Sequence, residues 1–270
     1  MEYFIVMMLI IAVCAFYIAH KADKKLKQQT HKTVTNEYKP YTTPYTTTYP
    51  TTKYTSYPDF KYIPVNIATK KARKQYKDFV VLDFETTGLS PTNDKIIEIG
   101  AVKLCDGTIT DSFNTLVNPK RSIPQAATRV NGITDQMVKN APYIENVLPE
   151  LLRFIGDKVI VAHNASFDMK FLLVNAYDCG FEVNNPVIDT LSLCRRLYPD
   201  IANHKLGTVA NHLCISMNEA HRSLCDVTAT ASILLKCIDL LNKRDLVEEQ
   251  ERKLAKEAAR AAANRENSAS

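Results

Sequence analysis

Runs of apolar residues alternate between two spacings through the middle of the chain. Phe79 to Phe84 is apolar and β-branched, is then broken by acids, and ends at Thr86-Thr87-Gly88. That pattern predicts a buried strand. Lys95 to Leu104 and Ile109 to Val117 predict two more, joined by Cys105-Asp106-Gly107, an Asp-Gly hairpin signal. Lys158 to His163 is a further short apolar run. Helical spacing predicts helices over Gln125 to Asn131, Asp135 to Lys139, Ala165 to Tyr177, Leu191 to Leu197 and Leu206 to Leu213. Ile144 to Ile155 repeats Val147, Leu148, Leu151, Leu152 and Ile155 on one face, an amphipathic helix. A last long helix is expected from Leu224 to Asn242, with Thr228, Ala231, Leu234, Leu235 and Ile238 turned inward. Strands first, then strands mixed with helices, predict an α/β domain: a mixed sheet flanked by helices. It would occupy residues 78–242, an ordinary size for one domain at about 165 residues.

The flanks read differently. Tyr3 to Ala19 is an uninterrupted apolar run of about 17 residues, the lower end for a membrane-spanning helix. His20, Lys21, Lys24, Lys25 and Lys27 follow at once, while Glu2 precedes it. A secretory signal has positive charge before the run and a small-x-small cleavage site after it; here only the terminal amine is positive before the run, and the site is a poor match. Val13 before Cys14 is a poor lipoprotein signal. The expectation is an uncleaved, single-pass anchor over 1–20, with the lysines and all that follows in the cytoplasm. Residues 21–77 are expected to be a linker, built largely of Thr, Tyr, Pro and Lys and too poor in aliphatics to make a core. It ends in a basic patch of Lys70, Lys71, Arg73, Lys74 and Lys77, suited to nucleic acid, to anionic lipid or simply to water. Residues 243–270 are rich in Ala, Glu, Lys and Arg and predict a charged helical tail that frays after about Ala262. The net charge of +5 is compatible with a polyanionic partner without identifying one. Seven cysteines at irregular spacing, with no CxxC pair, predict reduced thiols and neither disulfides nor a zinc site.

The chemistry is carried by four acids and a histidine. Asp83 and Glu85 alternate along one strand and so share a face. Two like charges at the end of an apolar strand repel each other and resist desolvation. No Lys or Arg lies within five residues of either. A divalent cation with a taste for oxygen, Mg²⁺ or Mn²⁺, would resolve the repulsion; so would exposure at the rim of the sheet. Asp168 falls in the first turn of a helix that starts at a strand end, where it would complement the helix dipole or join a site. His221 and Asp226 lie five apart, about 140° around a continuous helix, and would not converge on one. They converge if the helix begins between them, and Ser223 with Asp226 three residues later is an N-cap pattern. His221 would then lie in a loop, either as a surface residue or as a general base near neutral pH.

These segments resemble the three exonuclease motifs of the DEDDh superfamily: Val80-Val81-Leu82-Asp83-Phe84-Glu85-Thr86-Thr87-Gly88-Leu89, Val161-Ala162-His163-Asn164-Ala165-Ser166-Phe167-Asp168, and His221-Arg222-Ser223-Leu224-Cys225-Asp226. Within it they are most similar to the proofreading, epsilon-type exonuclease of bacterial DNA polymerase III. Ile96-Ile97-Glu98-Ile99-Gly100, Val130-Asn131-Gly132-Ile133-Thr134 and Val187-Ile188-Asp189-Thr190-Leu191 extend the resemblance, which runs from about Asp78 to Leu241. It implies an RNase H-like fold and a metal-dependent 3′→5′ exonuclease that releases nucleoside 5′-monophosphates. Asp83, Glu85, Asp168 and Asp226 would hold two Mg²⁺ or Mn²⁺ ions, and His221 would be the base. Thr86, Thr87, Gly88, Leu89, Asn164 and Phe167 would grip the terminal nucleotide, with Leu89 as a wedge. The expected partners are nucleic acid with a free 3′ end, single-stranded DNA foremost, the membrane, and a polymerase or other replication or repair protein. An exoribonuclease of the same superfamily, or a membrane-tethered binding scaffold with little catalysis, are the alternatives.

Overall fold

The structure, a computed structural model, describes residues 57–217 and 222–269. The expected anchor, most of the linker and His221 lie outside these. The described elements run, in order, β1 (Ile63–Pro64), α1 (Lys70–Gln75), β2 (Asp78–Thr86), β3 (Ile96–Cys105), β4 (Thr108–Leu116), α2 (Gln125–Asn131), α3 (Asp135–Val138) and α4 (Ile144–Ile155). They continue with β5 (Val159–Ala162), α5 (Ala165–Asp178), β6 (Pro186–Asp189), α6 (Thr190–Leu197), α7 (Leu206–His212) and α8 (Ser223–Ala269). The sheet order is β1-β6-β5-β2-β3-β4. β1, β6, β5 and β2 are parallel, and β3 and β4 are antiparallel additions. This is the mixed, helix-flanked α/β sheet that the periodicities predict.

Strand alternation divides β2 between two cores. Val80, Leu82 and Phe84 pack into the core shared with α4 and α5, beside Leu148, Leu151 and Phe171. Phe79 and Val81 pack on the other face with residues of α6 and α8, such as Leu193, Val227 and Leu234. Asp83 and Glu85 continue that second face beyond the apolar stretch. The β3–β4 turn is the expected two-residue hairpin, with Asp106 and Gly107 both at positive φ (46° and 77°), as the right-handed strand twist favours.

Three expectations need correction. Residues 57–77 are not linker: β1 pairs with β6, Ile67 is buried, and Tyr57 and Phe60 pack on Tyr177. An edge strand needs backbone partners rather than an apolar sequence, so composition gave no sign of it. Arg73 is likewise no part of a solvated patch. It is buried, with its guanidinium on the carbonyls of Ile67 and Ala68, on Asn242 and on Asp245. Lys70, Lys71, Lys74 and Lys77 remain exposed. The tail, finally, is no separate element: α8 runs unbroken for 47 residues, about 70 Å at the helical rise. Its inward face is Val227, Ala231, Leu234, Cys237 and Leu241, while Thr228, Leu235 and Ile238 are half-buried. Beyond that face Leu246, Val247 and Leu254 are exposed.

Among the described residues no helix is long and apolar enough to cross a membrane; Tyr3 to Ala19 is outside them. Of the cysteines, Cys14 is outside too, and the six described are free thiols.

Candidate active site

The carboxyl end of β2 is where three parts of the chain meet. β2 brings Asp83 and Glu85. β3 lies antiparallel beside it, placing Glu98 opposite Glu85 and Gly100 opposite Asp83. Onto that spot comes the first turn of α8. A Cβ on Gly100 would lie 2.5 Å from the carbonyl carbon of Ser223, so the helix can sit this low on the sheet only over a glycine. Asp226, one turn along, is buried there. One oxygen from each of Asp83, Glu85 and Asp226 falls within 4.8 Å of the others.

Asp168 enters from the opposite side of β2. It is buried in the first turn of α5, and its Oδ1 accepts the Phe84 amide at 3.0 Å. It stands close enough to raise the pKa of Asp83, although it is not one of the tight three. The turn before α5 is held by Asp189, whose Oδ1 accepts the amides of Asn164 (3.0 Å), Ala165 (3.3 Å) and Leu191 (3.0 Å). One carboxylate thus ties the starts of α5 and α6 together.

The electrostatics follow from burial and crowding. Asp83 is held well above the usual carboxylate range, first by burial and then by repulsion from Asp168, Asp226, Glu85 and Glu98. Its Oδ2 is buried with no hydrogen-bond partner. Glu85 is pushed up to about 8 by burial and by Asp226 and Glu98, against an opposing hydrogen bond from Asn131. Burial pushes Asp168 up to about 7, against the Phe84 amide. An orphaned buried carboxylate oxygen among hard oxygen donors, with the proton affinities of Asp83, Glu85 and Asp168 raised, fits a divalent cation.

The fifth nearby acid, Glu98, is otherwise engaged. It is fully buried and accepts Arg222 Nη2 at 2.9 Å, Arg222 Nε at 3.2 Å and the Ser223 amide at 3.2 Å. The helix therefore begins between positions 221 and 226, as the N-cap pattern allowed, but by a different device. Ser223 is the first helical residue and its Oγ makes no hydrogen bond; a β3 carboxylate accepts its buried amide instead. Glu98, Asp189 and Asn131 are functional neighbours that the motifs contain and that sequence reasoning gave no role.

The expected nucleotide-gripping residues divide into two groups. Thr86 and Thr87 are buried, and their hydroxyls hold the turn after β2 through Gly88 O (2.6 Å) and Asp94 (3.2 Å). Both hydroxyls thus have partners within the turn. Gly88 leaves room for the Asp94 carboxylate, which a Cβ would meet at 2.5 Å. Leu89 follows with 84% of its surface exposed, and Asn164 is exposed at φ 69°. Phe167 is half-buried and tilted against Phe171.

A mixed sheet with an acid cluster at a strand's carboxyl end, closed by a helix start, defines an RNase H-like domain with a carboxylate centre. Residues 80–234 match the exonuclease family model of the RNase T type, and the chain belongs to that family, among the DEDD-type 3′→5′ exonucleases. It is 53% identical over 157 residues to the PolC-type DNA polymerase III of Clostridium perfringens, covering 58% of this chain and 11% of that one. It is 43% identical over 179 residues to the PolC-type DNA polymerase III of Bacillus subtilis, 65% of this chain and 12% of that one. The chain thus spans about a tenth of the length of these relatives. Among solved structures it is similar to Exonuclease X in complex with 5′ overhanging duplex DNA, at 32% identity and a TM-score of 0.51, covering 60% of this chain and 92% of that one. Exonuclease I of E. coli in complex with a dT13 oligonucleotide shares the fold, at 18% identity and a TM-score of 0.55, covering 64% of this chain and 43% of that one.

The raised carboxylates have a consequence for stability. A carboxyl whose folded pKa is raised stabilises the fold fully below its unfolded pKa, near 4, and that stabilisation is lost as pH rises through the folded value. For Asp168 and Glu85 the loss runs up to about 7 and about 8. The metal-free protein is expected to melt higher near pH 5.5 than near 8.5, with Mg²⁺ raising the melting temperature mainly at the higher pH. Calorimetry in EDTA and in Mg²⁺ checks this. Equal metal effects at both pH values would contradict it.

Proposed function

We propose that this chain is a metal-dependent 3′→5′ exonuclease that removes nucleoside 5′-monophosphates from DNA ends. The observation that carries the reading is the meeting of Asp83, Glu85 and Asp226 within 4.8 Å around a buried, unpartnered carboxylate oxygen. DNA is favoured over RNA because the relatives are DNA polymerases and Exonuclease X is seen with DNA. Asp83, Glu85, Asp168 and Asp226 would hold two Mg²⁺ or Mn²⁺ ions. Such ions supply positive charge to a phosphate oxygen and acidify a water. His221, next to the anchored Arg222, would take the proton from the attacking water. The exposed Leu89 provides the stop against the last base, with Phe167 and Asn164 lining the same pocket. Residues 1–20 anchor the chain in the membrane with the nuclease domain in the cytoplasm, where a replication or repair polymerase is a fitting partner.

The test is degradation of 5′-labelled single-stranded DNA by the full chain in detergent. Stepwise shortening from a free 3′ end is expected in Mg²⁺, none in EDTA, and no cutting of circular single strands. Internal cuts in the circle would refute the exonuclease reading. A faster reaction on matched RNA would make it an exoribonuclease. Separately, the full-length chain is expected in the membrane fraction. Digestion of the nuclease domain by protease outside intact cells would overturn the orientation.

A further inference from the structure

Glu98 is an acid of the cluster whose two oxygens both accept hydrogen bonds. It faces Glu85 across the β2–β3 ladder and is 1% exposed. Its two oxygens are taken by a two-pronged guanidinium and by the first amide of α8. Arg222 is thereby held by a strand, and the helix that follows it starts at a set height and rotation. Asp226 lies in that helix's first turn, its amide on the Arg222 carbonyl at 3.1 Å. His221 is the residue immediately before Arg222.

We propose that Glu98 and Arg222 are a positioning pair that sets the start of α8, and with it Asp226, against Asp83 and Glu85. The inference rests on the reading of this centre as a metal site. Three features support it beyond the ion pair itself. The pair holds both sides of the junction between the loop and the helix: Arg222 by its side chain and Ser223 by its backbone. Gly100, two residues beyond Glu98 on the same face, clears the space into which that junction drops, so β3 provides both the seat and the latch. The charge balance is also relevant. With Glu98 neutralised by Arg222, four carboxylates remain to face two divalent cations, which match them formally. Without Arg222 a fifth buried carboxylate would compete for the same ions. The guanidinium fork suits this role because it fixes direction as well as charge, which an ammonium does not.

The experiment compares the wild-type full chain with Arg222→Lys, Glu98→Gln and the double variant Glu98→Gln/Arg222→Gln. Three quantities are read: Mn²⁺ binding by electron paramagnetic resonance, kcat and KM on linear single-stranded DNA, and the melting temperature. Groups that orient metal ligands from behind typically govern about 10–100-fold in metal affinity or activity. Each single variant is expected to lose Mn²⁺ affinity and kcat in that range, with KM for DNA unchanged. A merely structural bridge would lower the melting temperature and leave the folded fraction with normal affinity and kcat. The double variant should lose less than the product of the two single losses, because the two sites act as one unit. Arg222→Lys keeps a cation over Glu98 and so decides the matter if Glu98→Gln does not fold. Folded variants that bind Mn²⁺ and turn over like the wild type, or losses that simply multiply, would overturn the positioning pair alone. A wild-type chain that neither binds Mn²⁺ nor shortens DNA would overturn the metal-site reading and this inference with it.

Discussion

Asp83→Ala is expected to abolish turnover and, at the same time, to make the metal-free protein more stable. Asp83 is the acid on which the others converge: Asp168, Asp226, Glu85 and Glu98 all raise its pKa. Removing it takes away the acid that all the others repel. Charge stabilisation of a phosphoryl transition state by bound metal is worth several kcal/mol, and about 4 kcal/mol already corresponds to roughly a thousandfold in rate. A loss of at least about that size is expected in single-turnover assays with saturating Mg²⁺. The stability effect has the opposite sign. A carboxyl whose folded pKa is raised weakens the fold at pH values above its unfolded pKa, so its removal relieves the apo protein near pH 8. Denaturant melts in EDTA at that pH should shift to higher midpoints, while the gain from added Mg²⁺ shrinks. Activity near the wild-type level would show that the cluster is not the catalytic centre. A destabilised apo variant would show that Asp83 is not repelled as the geometry implies.

His221→Ala is expected to lower kcat by roughly 10²–10⁴-fold, the usual range for loss of a general base, with Mn²⁺ binding retained. The carboxylates and the imidazole can be separated by pH. Protons compete with metal for Glu85 and Asp168, so the acid limb due to them should move to lower pH as Mg²⁺ is raised. The limb due to an imidazole, near 6.5 when unperturbed, should stay where it is and disappear in the variant. A variant with the wild-type rate and both limbs intact would mean that another group activates the water.

The choice of a full chain for these measurements follows from the flanks of the domain. Arg73 in α1 is buried against Asn242 and pairs with Asp245, so the segment before β2 and the far part of α8 hold each other. Truncation at residue 78 or 242, the boundaries that composition suggests, would strand a buried guanidinium or its acceptors.

What the sequence by itself determined is local and periodic. Alternation along β2 put Asp83 and Glu85 on one face, Asp106-Gly107 specified the hairpin, and Ser223 with Asp226 three residues later marked a helix start after His221. Each of these depends on a few neighbouring residues whose geometry a backbone period dictates. The helix face of α8 was only partly legible, because Thr228, Leu235 and Ile238 share its spacing with Val227 and Cys237, and the register is chosen by what lies beneath. Only the tertiary structure decided the rest. Glu98 reads as an acid in an apolar strand until Arg222, 124 residues away, is placed over it. Gly100 has no meaning before Ser223 comes to rest on it. The basic run at 70–77 looks uniform until Arg73 alone turns inward. In each case the deciding interaction joins residues far apart in the chain, through desolvation and charge pairing, and no local period encodes which distant partner will arrive.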